Sequence, residues 1–449
     1  MNEEQRRTLL DADRRFVWHP FTQMKDYATA DHVLIERAQG PFVYGSDGQR
    51  YYDAVSSWWV NIHGHNHPRI NEAIARQLES MEHVMFSGFT HQPAIELASR
   101  LVAITPEGLD KVFYSDNGST AVEVALKMSF QYWRQVGKTD KTRFVFLDNG
   151  YHGDTIGAVS VGGVDLYHKL YKPLLFATFQ APSPYQYRWP GNADAFVEEA
   201  VGAVEELFAA HADEIAGMIV EPMIQAAGGM IIYPAEYLRR VRDLCDRYGV
   251  HLIADEVAVG FGRTGRMFGC NHADVSPDIM CLSKGLTAGY VPLSVTLCTQ
   301  QIYDAFYDDY DTVKTFFHGH SFTANPIGCA VALESLNIFD QEDTMRTVAR
   351  LSAQLSEELK QFAAYEHVGD IRHLGMVGAL ELVSDRASRR SFPFQERIGQ
   401  RVYQEGLRQG VILRPLGDTI YFWLQYCLTP EQMHDLFLRT HRVFQTLQL

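Results

Sequence analysis

Between residues 70 and 299 short apolar runs alternate with longer amphipathic stretches. The runs Lys111–Ser115, Phe144–Leu147, Gly217–Glu221, Leu252–Asp255, Asp278–Leu282 and Leu293–Thr299 predict strands. The stretches Ile70–Met81, Thr120–Gln135 and Ala235–Tyr248 carry apolar residues at helical spacing. In the second, Val122, Leu126, Phe130 and Trp133 share one stripe. This alternation predicts an α/β fold, a mostly parallel central sheet with helices on both faces. Upstream, residues 34–55 read as short strands broken at Gly40-Pro41 and Asp47-Gly48. Downstream of residue 338 the texture changes again: a charged helical stretch, Gln341–Phe362, then Val377–Leu382, a helix near Arg397–Gln409 and the segment Gly410–Trp423. The pattern predicts a large domain over 60–338. A smaller α+β domain would be assembled from both chain ends, 1–59 and 339–449.

The chain has 449 residues, 46% of them apolar and 21% charged, which excludes a disordered, collagen-like or coiled-coil protein. Forty basic residues face 55 acidic ones, a net charge of −15, and no basic block offers itself to phosphates, so no nucleic-acid partner is expected. Six scattered cysteines without a CxxC pair fit reduced thiols, a cytoplasmic location and no metal site. The charged first twenty residues lack an apolar leader, and no apolar run has membrane-spanning length, so no membrane association is expected.

Three places could carry chemistry. Ser115-Asp116-Asn117-Gly118-Ser119-Thr120 joins a strand to a helix, and Thr120 with Glu123 has capping-box spacing. A glycine-containing turn at a helix N-terminus presents N–H groups and a dipole that suit a phosphate, although an ordinary capped helix reads the same. Asp255 ends an apolar strand, where ligands bind in parallel sheets, although a solvated acid would sit there too. Lys284 follows another apolar strand between small residues. It is a candidate Schiff-base amine whose pKa desolvation would lower, or a plain surface lysine. Together they change the odds. A phosphate cradle, a strand-end acid and a strand-end lysine 29 residues later are what pyridoxal 5'-phosphate needs. Tyr151, in Asn149–Asp154, offers an aromatic cover for the ring. The loop Gly260–Gly265 spells GxGxxG, but Glu256–Val259 separate it from the strand and no clear helix follows. A nicotinamide-dependent dehydrogenase is therefore disfavoured.

Over nearly its full length the chain resembles the class III, fold-type I aminotransferases. The resemblance is carried above all by Leu252–Ser294, with Trp18–Thr22, Ser56–Trp59, Ile62–Pro68, His83–Phe86, Asn149–Asp154, Phe317–Phe322 and Leu413–Gly417 in support. Within that family it is similar to the branch that aminates 8-amino-7-oxononanoate to 7,8-diaminononanoate in biotin biosynthesis. The resemblance implies Lys284 as the cofactor-binding lysine and proton carrier, with Asp255 on the pyridinium nitrogen and Tyr151 stacked on the ring. It implies Gly118 and Ser119 at the phosphate, with Ser321 and the backbone near His320 reaching the cofactor of a neighbouring subunit in a homodimer. Arg414 would grip the substrate carboxylate, Gly319 would touch substrate through its backbone, and Phe21, Trp58 and Tyr421 would line the channel. Trp58 and Trp59 also suit plain core packing, and in an ordinary pleat only one of them faces the pocket. Tyr421 equally suits buried filler.

Members that use S-adenosylmethionine have Tyr where this chain has Phe21 and Pro-Thr where it has His320-Ser321. They also carry a Pro-Pro pair after the arginine, where this chain reads Phe422–Tyr426. The stretches Pro20–Tyr27 and Phe306–Ser321 look closer to a Bacillus-type branch, some of whose members use lysine. The amino donor thus stands open between S-adenosylmethionine and L-lysine, and another class III ω-amine:pyruvate transaminase is the alternative.

Overall fold

The computed structural model describes residues 1–449. Seven strands build the central sheet: β1 (Leu109–Ser115), β2 (Arg143–Leu147), β3 (Phe179–Ala181), β4 (Ile215–Val220), β5 (His251–Asp255), β6 (Ile279–Leu282) and β7 (Ser294–Thr299). Their order is β1-β7-β6-β5-β4-β2-β3. β7 runs antiparallel to both β1 and β6, and the remaining pairs are parallel. β4, β5 and β6 are buried at every position, which is why they read in the sequence as unbroken apolar runs.

Register sets the site. Ala254 pairs with Val220 and Asp255 with Cys281. Glu221, Asp255 and the Ser283–Lys284 corner therefore emerge side by side at the carboxyl edge of the sheet, where parallel strands leave a crevice for ligands.

Helix α1 (Gly118–Gln135) lies behind this edge. Its cap differs from the expected one. Asn117 is the N-cap, its Oδ1 accepting from Thr120 N at 3.2 Å while its own N–H is received by Thr120 Oγ1 at 3.0 Å. Glu123 is freed for another task and accepts from Gly157 N at 2.7 Å.

The terminal segments form two smaller sheets. Ile35–Gln39, Phe42–Gly45 and Arg50–Asp53 are completed by Val411–Ile412, which pairs in parallel with Arg50–Asp53. Val368–Leu374, Val377–Leu382 and Thr419–Trp423 form the other. One apolar cluster of 52 buried residues runs from Phe42 through Met280 to Leu449, so both chain ends share a core with the central sheet. The charged stretch near residue 341 resolves into two helices, Pro326–Gln341 and Thr344–Lys360, parted by Asp343 in the left-handed region.

Candidate active site

Contacts run from α1 to Asp255 and on to His152. Gly118 stands against Val257, and a Cβ on the glycine would lie 2.5 Å from Val257 Cγ1. Val257 N donates to Asp255 Oδ1 at 3.1 Å. Asp255 is 4% exposed, and its Oδ2 lies 2.7 Å from His152 Nδ1. The cap satisfies Thr120 and leaves the amides of Gly118 and Ser119 without an acceptor in the chain. Two free amides at a helix N-terminus, where Val257 packs against the bare Cα of Gly118, make a cradle for an anion. Ser119 Oγ accepts from Asp154 N at 3.3 Å, and Asp154 in turn takes the Tyr151 hydroxyl at 2.9 Å.

Behind Tyr151 stands Glu221, fully desolvated at the end of β4. Its carboxylate accepts from Tyr151 N at 3.0 Å and from Ala226 N at 2.9 Å. Burial, opposed by His152 and reinforced by the Asp255 charge, pushes its pKa up to about 7. Burial likewise raises the Tyr151 hydroxyl, with Asp154 adding to it.

Lys284 opens a short turn after β6 with φ +47°, a left-handed conformation for a side chain that must turn back over the sheet edge. Its Nζ lies 4.8 Å from the centre of the Trp59 ring. Burial pulls the amine below its ordinary pKa, against the upward pull of Asp255, Glu221 and Asp154. A lysine in this state gives up its proton far more readily than one in water, as a nucleophile or base requires.

The opposite wall is aromatic. Phe21 meets Trp58 edge-on at 5.6 Å and Tyr167 at 5.2 Å, and Tyr167 meets Tyr151 at 6.3 Å. The Arg414 guanidinium lies over Trp58 at 4.2 Å. The two tryptophans do not alternate across a strand. Ser56–Trp59 form a left-handed turn that leaves Trp58 half-buried and Trp59 buried beneath Lys284. Four such residues together are costly, ~1–2 kcal/mol each.

Tyr421 departs from its expected place in the channel. It is fully buried, and its hydroxyl receives Trp59 Nε1–H at 3.0 Å. Burial pushes its pKa up to about 12, with Trp59 and Arg414 pulling the other way. It braces the wall from behind because it sits mid-strand, with Trp423 stacked on Trp59 beside it. His320 stands 3.4 Å from Asp116, beside the anion cradle, whereas Gly319 and Ser321 are exposed and reach none of the other site residues.

The GxGxxG loop is structural. Arg263, 1% exposed, donates to the carbonyls of Leu424 and Asn61 and lies 5.1 Å from the rings of Trp423 and Tyr426. The loop is thereby packed into the core, out of reach of a dinucleotide.

Sequence reading did not single out His152, Glu221, Val257 or Tyr167. His152 and Val257 adjoin residues that it did select, and a search for a partner to the strand-end acid would have tested His152 first.

A family model described as aminotransferase class-III matches residues 24–444. The adenosylmethionine-8-amino-7-oxononanoate aminotransferase of Geobacter sulfurreducens is 51% identical over 432 residues, covering 96% of this chain and 95% of that protein. The solved structure of the adenosylmethionine-8-amino-7-oxononanoate aminotransferase from Methanocaldococcus jannaschii has a TM-score of 0.94 at 38% identity, covering 98% of this chain and 99% of that one. The ω-transaminase of Pseudomonas jessenii in complex with PMP also has a TM-score of 0.94, at 30% identity over 98% of each chain. With a family match over nearly its whole length and a relative sharing half its residues, the chain belongs to the class III aminotransferases.

Proposed function

We propose that the chain aminates the C7 ketone of 8-amino-7-oxononanoate to give 7,8-diaminononanoate in biotin biosynthesis, with pyridoxal 5'-phosphate as cofactor and S-adenosylmethionine or L-lysine as amino donor. The observation that carries the substrate choice is Arg414, seated on Trp58 at 4.2 Å in a wall otherwise made of aromatic rings. An aliphatic chain that ends in a carboxylate needs apolar surface along its length and one fixed cation at its end. A planar guanidinium seated over an indole can offer its N–H edge for a bidentate grip. The 51% identity to the Geobacter sulfurreducens enzyme supports the same reading.

The residues fit the cofactor. The amides of Gly118 and Ser119 are free to hold its phosphate, at a helix start that Val257 packs against so closely that a Cβ on Gly118 would clash. Asp255, kept in place by His152 and Val257 N, would pair with the ring nitrogen. Tyr151 would cover the ring, and Lys284 would hold it covalently. When bound, the cofactor draws electrons from the carbon that bears the amine, so that this carbon can lose a proton.

The chain's own residues do the rest. Lys284 Nζ, whose pKa burial draws below the ordinary lysine value, would take up and return the proton at that carbon. Trp59 beneath it and the aromatic wall opposite exclude water from the exchange. Arg414 would fix the substrate's register through its carboxylate, so that the C7 ketone and not the neighbouring C8 amine meets the reacting centre.

The exposed rings of Trp18, Phe317 and Phe322 call for cover, and a second copy of the chain is the proposed one. In such a homodimer Ser321 and the backbone near His320 would reach the neighbour's phosphate, and Gly319 its substrate. No helix is long and apolar enough to cross a membrane. The proposed setting is the cytoplasm.

The test is a half-reaction on cofactor-loaded protein. S-adenosylmethionine and L-lysine are mixed with it separately, and the cofactor's visible band is followed. Bleaching by either one, followed by recovery on adding 8-amino-7-oxononanoate, supports the proposal and names the donor. Bleaching only by simple amines, with recovery by pyruvate alone, favours a general ω-amine:pyruvate transaminase instead.

A further inference from the structure

Ser56, Ser57, Trp58 and Trp59 have φ of 49°, 47°, 75° and 75°. None is glycine, and such a run persists only where its surroundings over-determine it. Ser56 Oγ donates to Trp423 O at 2.5 Å, and the remaining side-chain anchors converge on one buried carboxylate. Asp53, 4% exposed, accepts from Ser57 N at 2.9 Å through Oδ1 and from Ser57 Oγ at 2.7 Å through Oδ2. His65 Nε2 lies 2.9 Å from Oδ2, and Gln425 Nε2 donates to the same oxygen at 3.2 Å.

The protons are fixed by a longer chain of contacts. Asn61 Oδ1 accepts from Gly64 N at 2.9 Å, which turns Asn61 Nδ2 toward His65 Nδ1 at 3.2 Å. His65 Nδ1 is then an acceptor and Nε2–H the donor to Asp53. Burial raises the Asp53 pKa, but the bonds from His65 and Ser57 outweigh it and hold the carboxyl below its ordinary value. An ionised Asp53 is what four converging donors need.

The turn delivers two indoles. Trp58 takes the Arg414 guanidinium on its face, and Trp59 lies beneath Lys284 Nζ and bonds Tyr421. Asp53 touches neither Lys284 nor Arg414, yet the ring under each depends on the backbone it anchors.

We propose that Asp53 is a positioning residue of this active site: its carboxylate holds the Ser56–Trp59 turn left-handed and thereby sets Trp58 against Arg414 and Trp59 against Lys284. The kinetic part rests on the reading of Arg414 as the arm that binds the substrate carboxylate.

The experiment is a double-mutant cycle on cofactor-loaded holoenzyme, with 8-amino-7-oxononanoate as substrate. Asp53→Asn raises KM about tenfold or more while the cofactor band is kept, the scale on which supporting partners act. In a Trp58→Ala background the same change moves KM by less than about twofold, because the ring it positions is gone. Ser57→Gly added to Asp53→Asn recovers part of the lost KM, since glycine adopts the left-handed conformation without an anchor. An equal KM effect with and without Trp58, or no recovery by Ser57→Gly, overturns the proposal. Should Asp53→Asn not fold, Ser57→Ala, at an exposed side chain, replaces it in the same cycle with a smaller rise expected. Should the wild type not act on this ketone, the functional reading fails by itself. The crystal structure of Asp53→Asn then decides: residues 56–59 leaving the left-handed region support the proposal, and an unchanged turn overturns it.

Discussion

His152 Nδ1 lies 2.7 Å from Asp255 Oδ2, and both residues are buried, each 4% exposed. The imidazole on Oδ2 and the Val257 amide on Oδ1 together fix the rotation of the carboxylate. Replacing His152 by Ala leaves the charge of Asp255 in place but frees its orientation. The expected result is a loss of about 10–100-fold in cofactor affinity or turnover, as for other partners that orient a ligating group. Titration of the apoenzyme with pyridoxal phosphate, followed in the visible, measures it.

Gly118 matters for its missing side chain. A methyl there would lie 2.5 Å from Val257 Cγ1, and Val257 N is tied to Asp255. Gly118→Ala should therefore displace Val257 or the start of the helix, disturb Asp255 or the free amides, and weaken cofactor binding by about tenfold or more, roughly the effect of overpacking by one methyl. The fold should be kept, because the helix itself gains a better helix former.

The pH dependence of stability should carry the mark of Glu221. Its folded pKa is raised to about 7, above the ordinary carboxylate value. Between the two values the folded state binds the extra proton, so this residue's contribution is full below about pH 4.5 and is lost as pH rises through 7. Glu221→Gln removes that slope. The stability of the variant relative to wild type should rise between pH 5 and pH 8, by ~2–5 kcal/mol for a shift of this size. Paired urea titrations of the apoproteins at the two pH values measure it.

Arg414 should act on one substrate only. Arg414→Ala is expected to raise KM for 8-amino-7-oxononanoate about 100-fold, the order found when one partner of a desolvated charge pair is removed. Arg414→Lys should recover little of it, because an ammonium lacks the planar fork and cannot lie flat on Trp58. A parallel rise in KM for a simple ketone without a carboxylate would place Arg414 in the structure of the wall instead.

Asp255 and Lys284 were legible because a strand buried on both faces shows as an apolar run, and a charged residue at its end stands out. The cradle was legible for a similar reason, as a glycine turn between a strand and a helix stripe. What was not legible depends on residues far apart in the chain. His152 bonds a residue 103 positions away, and Glu221 reads as one more strand residue until Tyr151 is placed on it. The Ser56–Trp59 turn looks like a strand or core segment because its anchors, His65 and Gln425, come from other parts of the fold. Tyr421 was open between wall and filler, and only its bond to Trp59 shows that it stands behind the wall. β3, at three residues, is too short to show a pattern, and the helix Pro430–Leu447 was not anticipated.

The central claim is that Lys284 moves the proton in amine transfer to this ketone. Purified protein is incubated with 8-amino-7-oxononanoate, pyridoxal phosphate and each donor in turn, and the products are read by mass. The account predicts 7,8-diaminononanoate from the wild type with one donor, and at least about a 100–10,000-fold slower reaction from Lys284→Ala, the span of a lost general base. No diamine with either donor, or an unchanged rate in Lys284→Ala, would contradict it.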